Sequence, residues 1–454
     1  MLHMKQLDWK NFSFIRIAQI FFVLFLVSLF FPIKYIFFTS SSIQTGIYSD
    51  FTTISLYLSD ILLILVAFFT ILPRGGDFYH VVEQLKWLII IGFISFLANL
   101  SHNWSLSLWF WLKFAEFIVA YGTAVILLRD KGFKNIVIWV FVGLCSFESV
   151  LAILQFHFQR PLGLFKVGEQ QIYPWNPGIA KLIVEGTKMI RAYGTFPHPN
   201  PLSAFLLAGL LFSIYLLTTA NKVWKKILYS CAILVNSLGL TVTFSRAAFL
   251  AYGLGLLIFF GYLIIKKQSK DYVLGLVVCL LTIILAFGLF GPYLSTRATV
   301  TDQAVVERGL YNKIGLNIIK NYPWLGVGPA LSVLHMQQYS PRKLWPWEIQ
   351  PIHNYFLLSA AELGIPGVLV LIWIFYYHLK GLVARSKYQG EKLPALTTYY
   401  VLLATIFACF LVLMLFDHYF YTLEQTQLLL WLVLGLIAAE IKNPQTGDIL
   451  KPKD

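Results

Sequence analysis

The sequence is poor in charged residues and in cysteine. Only 12% of its 454 residues are Asp, Glu, Lys or Arg, whereas soluble domains carry about a quarter. This composition excludes an ordinary soluble domain. The four cysteines, Cys145, Cys231, Cys279 and Cys409, each fall inside an apolar segment, at spacings that suit neither a metal site nor a disulfide framework. We expect them to be small buried hydrophobic residues.

Nucleotide and metal signatures are also missing. The chain has no Walker A loop, no Gly-x-Gly-x-x-Gly, no His-Glu-x-x-His and no cluster of metal ligands, so we expect no cofactor and no metal. The net charge of +14 raises the question of a nucleic-acid partner. Lys and Arg, however, fall mostly in short connectors between apolar runs, which is the positive-inside pattern of membrane proteins. No nucleic-acid partner is expected.

Long hydrophobic runs are what the sequence does contain. Hydrophobic residues make up 58% of the chain, and its mean hydropathy is +0.72. A membrane-spanning helix needs about 20 apolar residues. By that measure the sequence predicts an all-α polytopic membrane protein with about twelve transmembrane helices. They lie near 12–31, 51–72, 87–100, 106–128, 135–156, 201–220, 224–242, 247–265, 272–291, 353–379, 395–417 and 422–441.

The basic connectors predict the orientation of these helices. Both termini are expected in the cytoplasm, because the connectors rich in Lys and Arg alternate with connectors that lack them. The first apolar run is too long for a cleaved signal and reads as a retained span. The predicted units are helices 1–5 (1–156), an outer loop (157–200), helices 6–9 (201–291), a large outer loop (292–352), helices 10–12 (353–441) and a cytoplasmic tail (442–454).

The two outer loops carry local structure of their own. Two β-prone runs flank Glu185-Gly186 and predict a short hairpin. Three prolines, at 197, 199 and 201, are expected to exclude helix and to stiffen the start of the sixth span. Residues 303–321 predict an amphipathic helix in the membrane interface. Its apolar stripe is Val306, Leu310, Ile314 and Ile318, and Arg308, about 200° around from Val306, is expected to point away from that stripe.

Polar residues at the outer ends of the spans are the candidates for chemistry. His353 begins the tenth span, where an imidazole can act as a general base, orient a substrate or simply cap a loop. Arg191, Arg246 and Arg308 all fall on the outer side without obvious carboxylate partners. They suit an anion such as a lipid diphosphate, although an arginine at the membrane edge also commonly snorkels. His198 and Asn200 are open to two interpretations, ligand binding or a loop locked by its prolines.

Several ionisable residues fall within predicted spans, among them Asp60, Lys113, Glu116, Glu148 and Glu362. Such residues are costly in a membrane and raise the question of function. Lys113 and Glu116, three residues apart, are expected to pair on one helix face. For Asp60 and Glu148 we favour polar bonding between helices.

Four segments together resemble one family. His353-Asn354, followed by nine residues, Gly364, two residues and Gly367, is similar to the His-[Asn/Ser/Gln]-x9-Gly-x-x-Gly signature of bacterial O-antigen ligases. The segments 191–200, 244–248 and 307–328, the last containing Glu307-Arg308 and Pro323-Trp-Leu-Gly-Val-Gly328, resemble the same superfamily in order and spacing. The resemblance covers about residues 190–380.

The resemblance implies a metal-independent, inverting glycosyltransferase of the bacterial inner membrane. Its donor would be an undecaprenyl-diphosphate-linked glycan, and its acceptor a glycolipid or glycan such as lipid A-core. Carried over by position, His353 is the base on the acceptor hydroxyl. Arg191, Arg246 and Arg308, with His198, Asn200 and Asn354, bind the substrate, whereas Gly364 and Gly367 form a structural motif. Membrane lipids are the remaining expected partner.

Related polymerases and protein O-oligosaccharyltransferases stay open as alternatives. Polymerases often carry Arg-x10-Gly in two outer loops, but the corresponding positions here are Leu202 and Ile319, which favours a ligase. A secondary transporter or flippase also has about twelve spans. It would need related halves with interrupted helices around a midplane site, and the sequence shows neither.

Overall fold

The computed structural model describes residues 9–44, 46–266, 272–296, 303–389 and 394–441. The predicted tail (442–454) and positions 297–302 of the predicted large outer loop lie outside the described residues. The described part is dominated by helices, as the sequence predicts. Their bounds are α1 Trp9–Phe30, α2 Leu58–Val82, α3 Lys86–Ala98, α4 Leu100–Leu127, α5 Lys131–Phe158, α6 Pro199–Thr218, α7 Val223–Val242, α8 Arg246–Lys266, α9 Tyr272–Ser295, α10 Gln303–Asn321, α11 Ser332–Tyr339, α12 Tyr355–Gln389, α13 Pro394–Phe416, α14 Tyr419–Thr422 and α15 Glu424–Ile441.

The protein is an all-α, multi-pass membrane protein. Eleven helical segments in the described part of the chain are long and apolar enough to cross a membrane. The sequence predicts about twelve, and the difference lies at α2 and α3, which run together as one apolar stretch from Leu58 to Ala98. At 1.5 Å per residue, the 13 residues of α3 cover only about 20 Å. That length is short of the roughly 30 Å of a bilayer core.

The described residues also form small two-stranded sheets between the helices of the chain. β5 (Lys181–Val184) pairs antiparallel with β6 (Thr187–Ile190), which confirms the predicted hairpin. Glu185 and Gly186 both have positive φ, as a tight two-residue hairpin turn requires. Four further strands before α2 are not predicted by the sequence analysis: β1 (Lys34–Phe37), β2 (Ile43–Gln44), β3 (Ile47–Tyr48) and β4 (Ile54–Tyr57). β1 pairs with β4, and β2 with β3.

Two helices form the centre of the bundle. All residues of α15 are buried, and α6 is buried over most of its length. Because protein covers every side of α15 and most of α6, both helices lie in the interior of the bundle and not at its outer surface. Helices α6 and α15 therefore hold the residues at their N-terminal ends in defined positions. These residues include Asn200 on α6 and the connector between α14 and α15.

The start of α6 corrects one expectation. The prolines at 199 and 201 do not exclude helix, because α6 begins at Pro199 itself with His198 as its N-cap. In the first turn of a helix a backbone N–H has no intrahelical acceptor, so proline loses nothing there.

Helix α10 has the predicted bounds, and part of its predicted apolar stripe is buried. Ile314 and Ile318 are fully buried and Tyr311 nearly so, whereas Val306 is 70% exposed. The predicted stripe therefore fails at its first member. Arg308, expected to point away from the buried side, has its Nε buried inside the protein. Among the cysteines, Cys145, Cys279 and Cys409 are buried as expected, and Cys231 is exposed on α7.

Candidate functional site

His353 lies just before α12, and its hydrogen bonding defines its tautomer. Nδ1 is 2.9 Å from the carbonyl oxygen of Pro351. A carbonyl only accepts, so neutral His353 carries its proton on Nδ1 and its lone pair on Nε2. The ring stacks on Tyr311 of α10, with centroids 4.9 Å apart and planes inclined by 13°. His353 therefore presents a basic nitrogen from a fixed ring orientation.

Two residues from the other end of the chain complete this surrounding. Asp417 and His418 connect α13 to α14 and are both buried. The His418 ring meets the His353 ring edge to face, 4.7 Å between centroids. One ligand-type atom from each of His353, Asp417 and His418 lies within 4.8 Å of the others. Neither Asp417 nor His418 is among the site residues predicted from the sequence. An Asp-His pair in a short connector between two apolar helices is nevertheless a pattern that indicates a functional site.

Burial, helped by the positive charge of Arg308, keeps the imidazoles of this cluster neutral. Burial lowers the pKa of His353 below its usual range; Asp417 opposes this shift and Arg308 adds to it. Burial, together with neighbouring positive charge, lowers the pKa of His418 to about 3. For Asp417 burial favours the neutral acid, but His418, His353 and Arg308 outweigh it and lower the pKa to about 2. Around pH 7 the cluster thus holds an ionised carboxylate beside neutral rings.

A hydrogen-bond chain holds Asp417 in place. Asn200 Nδ2 donates to Asp417 Oδ2 at 2.7 Å, and Asn200 Oδ1 accepts from Arg191 at 2.7 Å. Arg191 Nε in turn donates to the carbonyl oxygen of Thr243 at 2.7 Å. That carbonyl follows the end of α7, where helical acceptors lack intrahelical donors. Arg191 and Asn200, predicted as substrate ligands, therefore join three separate segments of the chain and orient the Asp417 carboxylate.

His198 is placed differently from His353. Its Nδ1 accepts from the backbone N–H of Asn200 at 3.2 Å, so its proton resides on Nε2. Burial and the nearby Arg191 lower its pKa to about 3. His198 thus remains neutral and offers a hydrogen-bond donor, not a base.

Arg308 brings positive charge to the cluster from α10. It acts electrostatically on His353, Asp417 and His418. Its buried Nε has no hydrogen-bond partner among the residues that the structure describes. A buried guanidinium nitrogen without an acceptor is costly. An incoming anion would remove that cost.

The other predicted site residues lie around this cluster. Arg246 is the first residue of α8, in the turn after Thr243, where Phe244 adopts a left-handed φ of 48°. Asn354 caps α12, because its Oδ1 accepts from the N–H groups of Phe356 and Leu357 at 3.0 Å. Its Nδ2 donates to the carbonyl oxygen of Leu415 at the end of α13. Asn354 thus fixes the start of α12 behind His353.

The glycine motif forms a clamp between the large loop and α12. Gly364 breaks α12 with φ 74°, and a Cβ there would stand 2.2 Å from the carbonyl oxygen of Trp324. Ile365 N donates to the carbonyl oxygen of Pro323 at 2.8 Å, and Val327 N to that of Ala361 at 2.9 Å. The loop turn lies in the helix break. Because Gly364 has no side chain, the backbone of the loop can pack directly against α12 there.

Glu362 serves the same clamp. Its carboxylate accepts from Ala330 N at 2.7 Å and from the Ser332 hydroxyl at 2.6 Å. Glu148 plays a similar part elsewhere, because it accepts from Thr195 N and the Thr195 hydroxyl. Both buried carboxylates are thus bonded to neighbouring segments, although the partner of Glu148 lies in the loop before α6 and not, as expected, on another helix.

A second group of carboxylates surrounds one ammonium. Lys113 Nζ lies 2.5 Å from Asp60, 3.1 Å from Glu116 and 3.2 Å from Glu424. The predicted Lys113–Glu116 pair is confirmed, and Asp60 links helices as expected. The three carboxylates are close enough to hold a metal ion. The ammonium already lies among them as their counter-ion.

Residues 229–372 match the family model of the O-antigen ligases. This match, over about a third of the chain, supports the resemblance to the O-antigen ligase-like superfamily. The matched stretch contains Arg246, Arg308 and His353, together with Gly364 of the clamp and Gly367. It supports an O-antigen ligase or polymerase type of function in general. None of the curated proteins compared with the chain matches it.

The O-antigen ligase match and the cluster geometry cover different parts of the chain. Arg191, His198 and Asn200 precede the matched residues, and Asp417 and His418 follow them. The fold brings both flanks to His353. A site assembled from α6, α10 and the ends of α12 and α13 suits members of this family, which act on glycans carried by lipids.

Proposed function

We propose that this O-antigen ligase-like protein transfers a glycan from an undecaprenyl-diphosphate carrier to an acceptor hydroxyl, with lipid A-core or a related glycolipid as acceptor. One observation carries the proposal. His353 presents its lone-pair nitrogen beside the ionised Asp417 and the cationic Arg308. A base and an anion-binding cation in one site are what glycosyl transfer from a diphosphate needs.

The proposed reaction inverts the anomeric centre in a single displacement. His353 Nε2 takes the proton of the acceptor hydroxyl as its oxygen attacks the anomeric carbon. A new glycosidic C–O bond forms, and the bond from that carbon to the diphosphate oxygen breaks with its electron pair on the diphosphate. Asp417 stabilises the imidazolium that forms through its negative charge, while the Pro351 carbonyl holds Nδ1–H. Arg308 and Arg246 stabilise the leaving diphosphate, while Arg191 holds Asn200 and Asp417 in position and contributes positive charge.

The proposed reaction needs no metal ion. His353, Asp417 and His418 form a set of atoms that can hold one. Arg308, however, places a positive charge at the same cluster, which opposes a second cation there. Transfer should therefore survive prolonged treatment with a chelator. Loss of transfer that only a divalent ion restores would assign the three residues to a metal site instead.

A transfer assay with purified protein tests the proposal. The inputs are an α-linked undecaprenyl-diphosphate glycan and defined acceptors: lipid A-core, a second lipid-linked repeat and an acceptor protein. We expect a β-linked product on lipid A-core, as read from the anomeric proton signals. Extension of the lipid-linked repeat would indicate a polymerase, and glycosylated protein an oligosaccharyltransferase. Movement of the lipid-linked glycan across vesicles without a new bond would indicate a flippase.

Arg308 provides a test of donor binding. Arg308→Ala should weaken donor binding about 10–150-fold, the equivalent of one charge-assisted hydrogen bond of about 1.5–3 kcal/mol. Arg308→Lys should restore only part of it, because an ammonium lacks the bidentate fork of guanidinium. The matched control is Lys320→Ala, which removes an exposed charge from the same helix. Equal donor affinity in the Arg308→Ala and Lys320→Ala proteins would refute the role of Arg308.

A further inference from the structure

A basic pocket lies at the membrane face opposite His353. Its volume is about 640 Å³, and its walls come from the first turns of α5, the last turn of α6 and the first turns of α7. Helix α6 runs from the His353 side to this pocket over 20 residues, or about 30 Å. The pocket is therefore separated from the proposed transfer site by the thickness of the membrane.

The charge in this pocket is positive. Lys222 and Lys225 line it together with Asn135, Asn221 and Thr219, and no acidic residue is among its lining groups within the described chain. Lys222 is also the N-cap of α7 and makes no side-chain capping bond. The unpaired N–H groups and the dipole of a helix N-terminus add to the attraction for an anion. Glu440, on α15, is ion-paired with Lys134.

The position of Lys225 is fixed by two indole rings. Its ammonium lies 5.2 Å from the ring centre of Trp139 and 5.5 Å from that of Trp224. Tryptophan is enriched where membrane lipid meets water, with its ring at headgroup depth. The two indoles thus hold a lysine at that depth beside an open cavity.

Apolar side chains next to the pocket are exposed. Val223 and Ile227 on α7 are 74% and 60% exposed, and Ile136 on α5 is 53% exposed. In a helix that spans a membrane such side chains face acyl chains. A ligand that fills the cavity with an anionic group can therefore extend alkyl chains along α5 and α7.

We propose that this pocket binds the phosphate headgroup of an anionic glycerophospholipid in the leaflet opposite the transfer site. Lys222 and Lys225 pair with the phosphate, and Asn135 and Asn221 bond to the polar end of the headgroup. The volume suits such a group, since ligand pockets commonly measure about 300–1,000 Å³. Basic pockets between transmembrane helices are a recurring form of lipid site.

Native mass spectrometry of the purified full-length protein tests this site. The protein in neutral detergent is titrated with phosphatidylglycerol, with phosphatidylcholine of the same acyl chains, and with inorganic phosphate. We expect one tightly retained phosphatidylglycerol, which phosphatidylcholine does not replace. Lys222→Gln with Lys225→Gln should lower its affinity about fivefold per lysine, or about 25-fold in all.

A charge-matched control separates the pocket from general attraction. Lys266→Gln with Lys380→Gln also removes two exposed lysines, but neither residue lines the pocket. This control should keep the affinity of the unmodified protein. Equal losses in both double variants, or no loss in either, would overturn the proposal. Displacement of the bound lipid by millimolar inorganic phosphate would overturn the choice of a lipid.

Quenching of tryptophan fluorescence gives a second readout, which does not need the lysine variants. Trp139 lines the pocket, so phosphatidylglycerol with brominated acyl chains should quench the fluorescence at lower concentration than brominated phosphatidylcholine. The difference should become smaller in Trp139→Phe, where Trp224, the other indole beside Lys225, still reports the bound lipid. Equal quenching by the two lipids in the unmodified protein would overturn the proposal.

Discussion

His353 is defined by its neighbours rather than by its own chemistry. Pro351 fixes its tautomer, Tyr311 its ring plane and Asp417 the charge beside it. His198, close by, has the opposite tautomer because a backbone N–H donates to its Nδ1. Of these two histidines, only His353 can accept a proton at Nε2 while neutral. The base hypothesis therefore rests on hydrogen-bond geometry as well as on sequence resemblance.

Replacement of His353 tests the base role directly. His353→Ala should lower transfer by about 10²–10⁴-fold, the usual contribution of a general base, with donor binding largely kept. The neutral ring is the active form, so transfer falls as pH falls through the His353 pKa. Burial lowers that pKa, so the acid limb should lie below the ordinary value of about 6.5. The measurement is the rate against pH with saturating donor.

The competing role is that of an orienting hydrogen-bond donor. In that case His353→Gln would keep most of the turnover and show the same pH profile as the unmodified protein. Such a result would rule out the base. A rate for His353→Gln as low as that for His353→Ala would support it.

Asp417 should act through His353 and not through the substrate. Asp417→Asn removes the carboxylate charge that stabilises the imidazolium, so kcat should fall about tenfold, the equivalent of about one pKa unit of charge stabilisation. Asp417 also raises the pKa of His353, so its removal should move the acid limb to still lower pH. The donor KM should change little.

Comparison of the kinetics of Asp417→Asn with those of a second Asp→Asn variant separates this role from a general loss of folded protein. Asp77→Asn is the control, because Asp77 is a half-exposed carboxylate on α2. It should leave both kcat and the pH profile as they are. An Asp417→Asn protein with lower kcat but an unmoved acid limb would mean that Asp417 does not act on His353.

At the scale of elements, the clamp between the large loop and α12 sets the position of His353. The loop turn at Pro323–Gly328 packs against the break in α12 at Gly364. Helix α12 is also the helix that begins just after His353. Ser95 on α3 also donates to the carbonyl oxygens of Leu325 and Glu362. Three elements therefore meet at a point where only backbone fits. This geometry gives a physical reason for glycine at Gly326 and Gly364.

Gly364→Ala tests the clamp. Its Cβ would lie 2.2 Å from the carbonyl oxygen of Trp324, and the φ of 74° is itself strained for alanine. Such backbone strain costs about 1–3 kcal/mol before the clash is added. We expect a clear loss of thermal stability in detergent together with lower transfer. Gly309→Ala, in α10 with open space around it, is the control and should be as stable as the unmodified protein.

The elements also show how far the sequence could lead. Apolar runs predict most helices, and the turn residues predict the β5–β6 hairpin, because both signals are local. The strands before α2 have only two to four residues each, and β1 pairs with β4 over a long connection, so periodicity does not reveal them. The predicted stripe of α10 is buried at Ile314 and Ile318 but exposed at Val306, because burial depends on tertiary contacts with α11 and α12. Asp417 and His418 reach His353 only through tertiary packing, which no local pattern encodes.

At the scale of the whole molecule, the α2–α3 segment decides the number of crossings. Lys113 pairs with Asp60 at the start of α2 and with Glu424 at the start of α15. The start of α2 therefore lies on the same side of the membrane as His418. Asn99, just after α3, lies against Gly328 of the large loop. Both ends of the α2–α3 pair therefore lie towards the His353 side. The chain goes in along α2 and returns along the short α3, so an even number of crossings and termini on one side are expected.

Chemical labelling tests this topology. Cysteines introduced as Lys181→Cys and Lys343→Cys, in the two predicted outer loops, should react with an impermeant thiol reagent in intact spheroplasts. Lys222→Cys, at the opposite end of α6, should react only after lysis. Native Cys231 is exposed, so the background for all three variants is Cys231→Ser. Labelling of Lys222→Cys in intact spheroplasts, with Lys181→Cys and Lys343→Cys protected, would invert the orientation. Such an inversion would put His353 on the cytoplasmic side, where a glycan already carried across the membrane could not reach it.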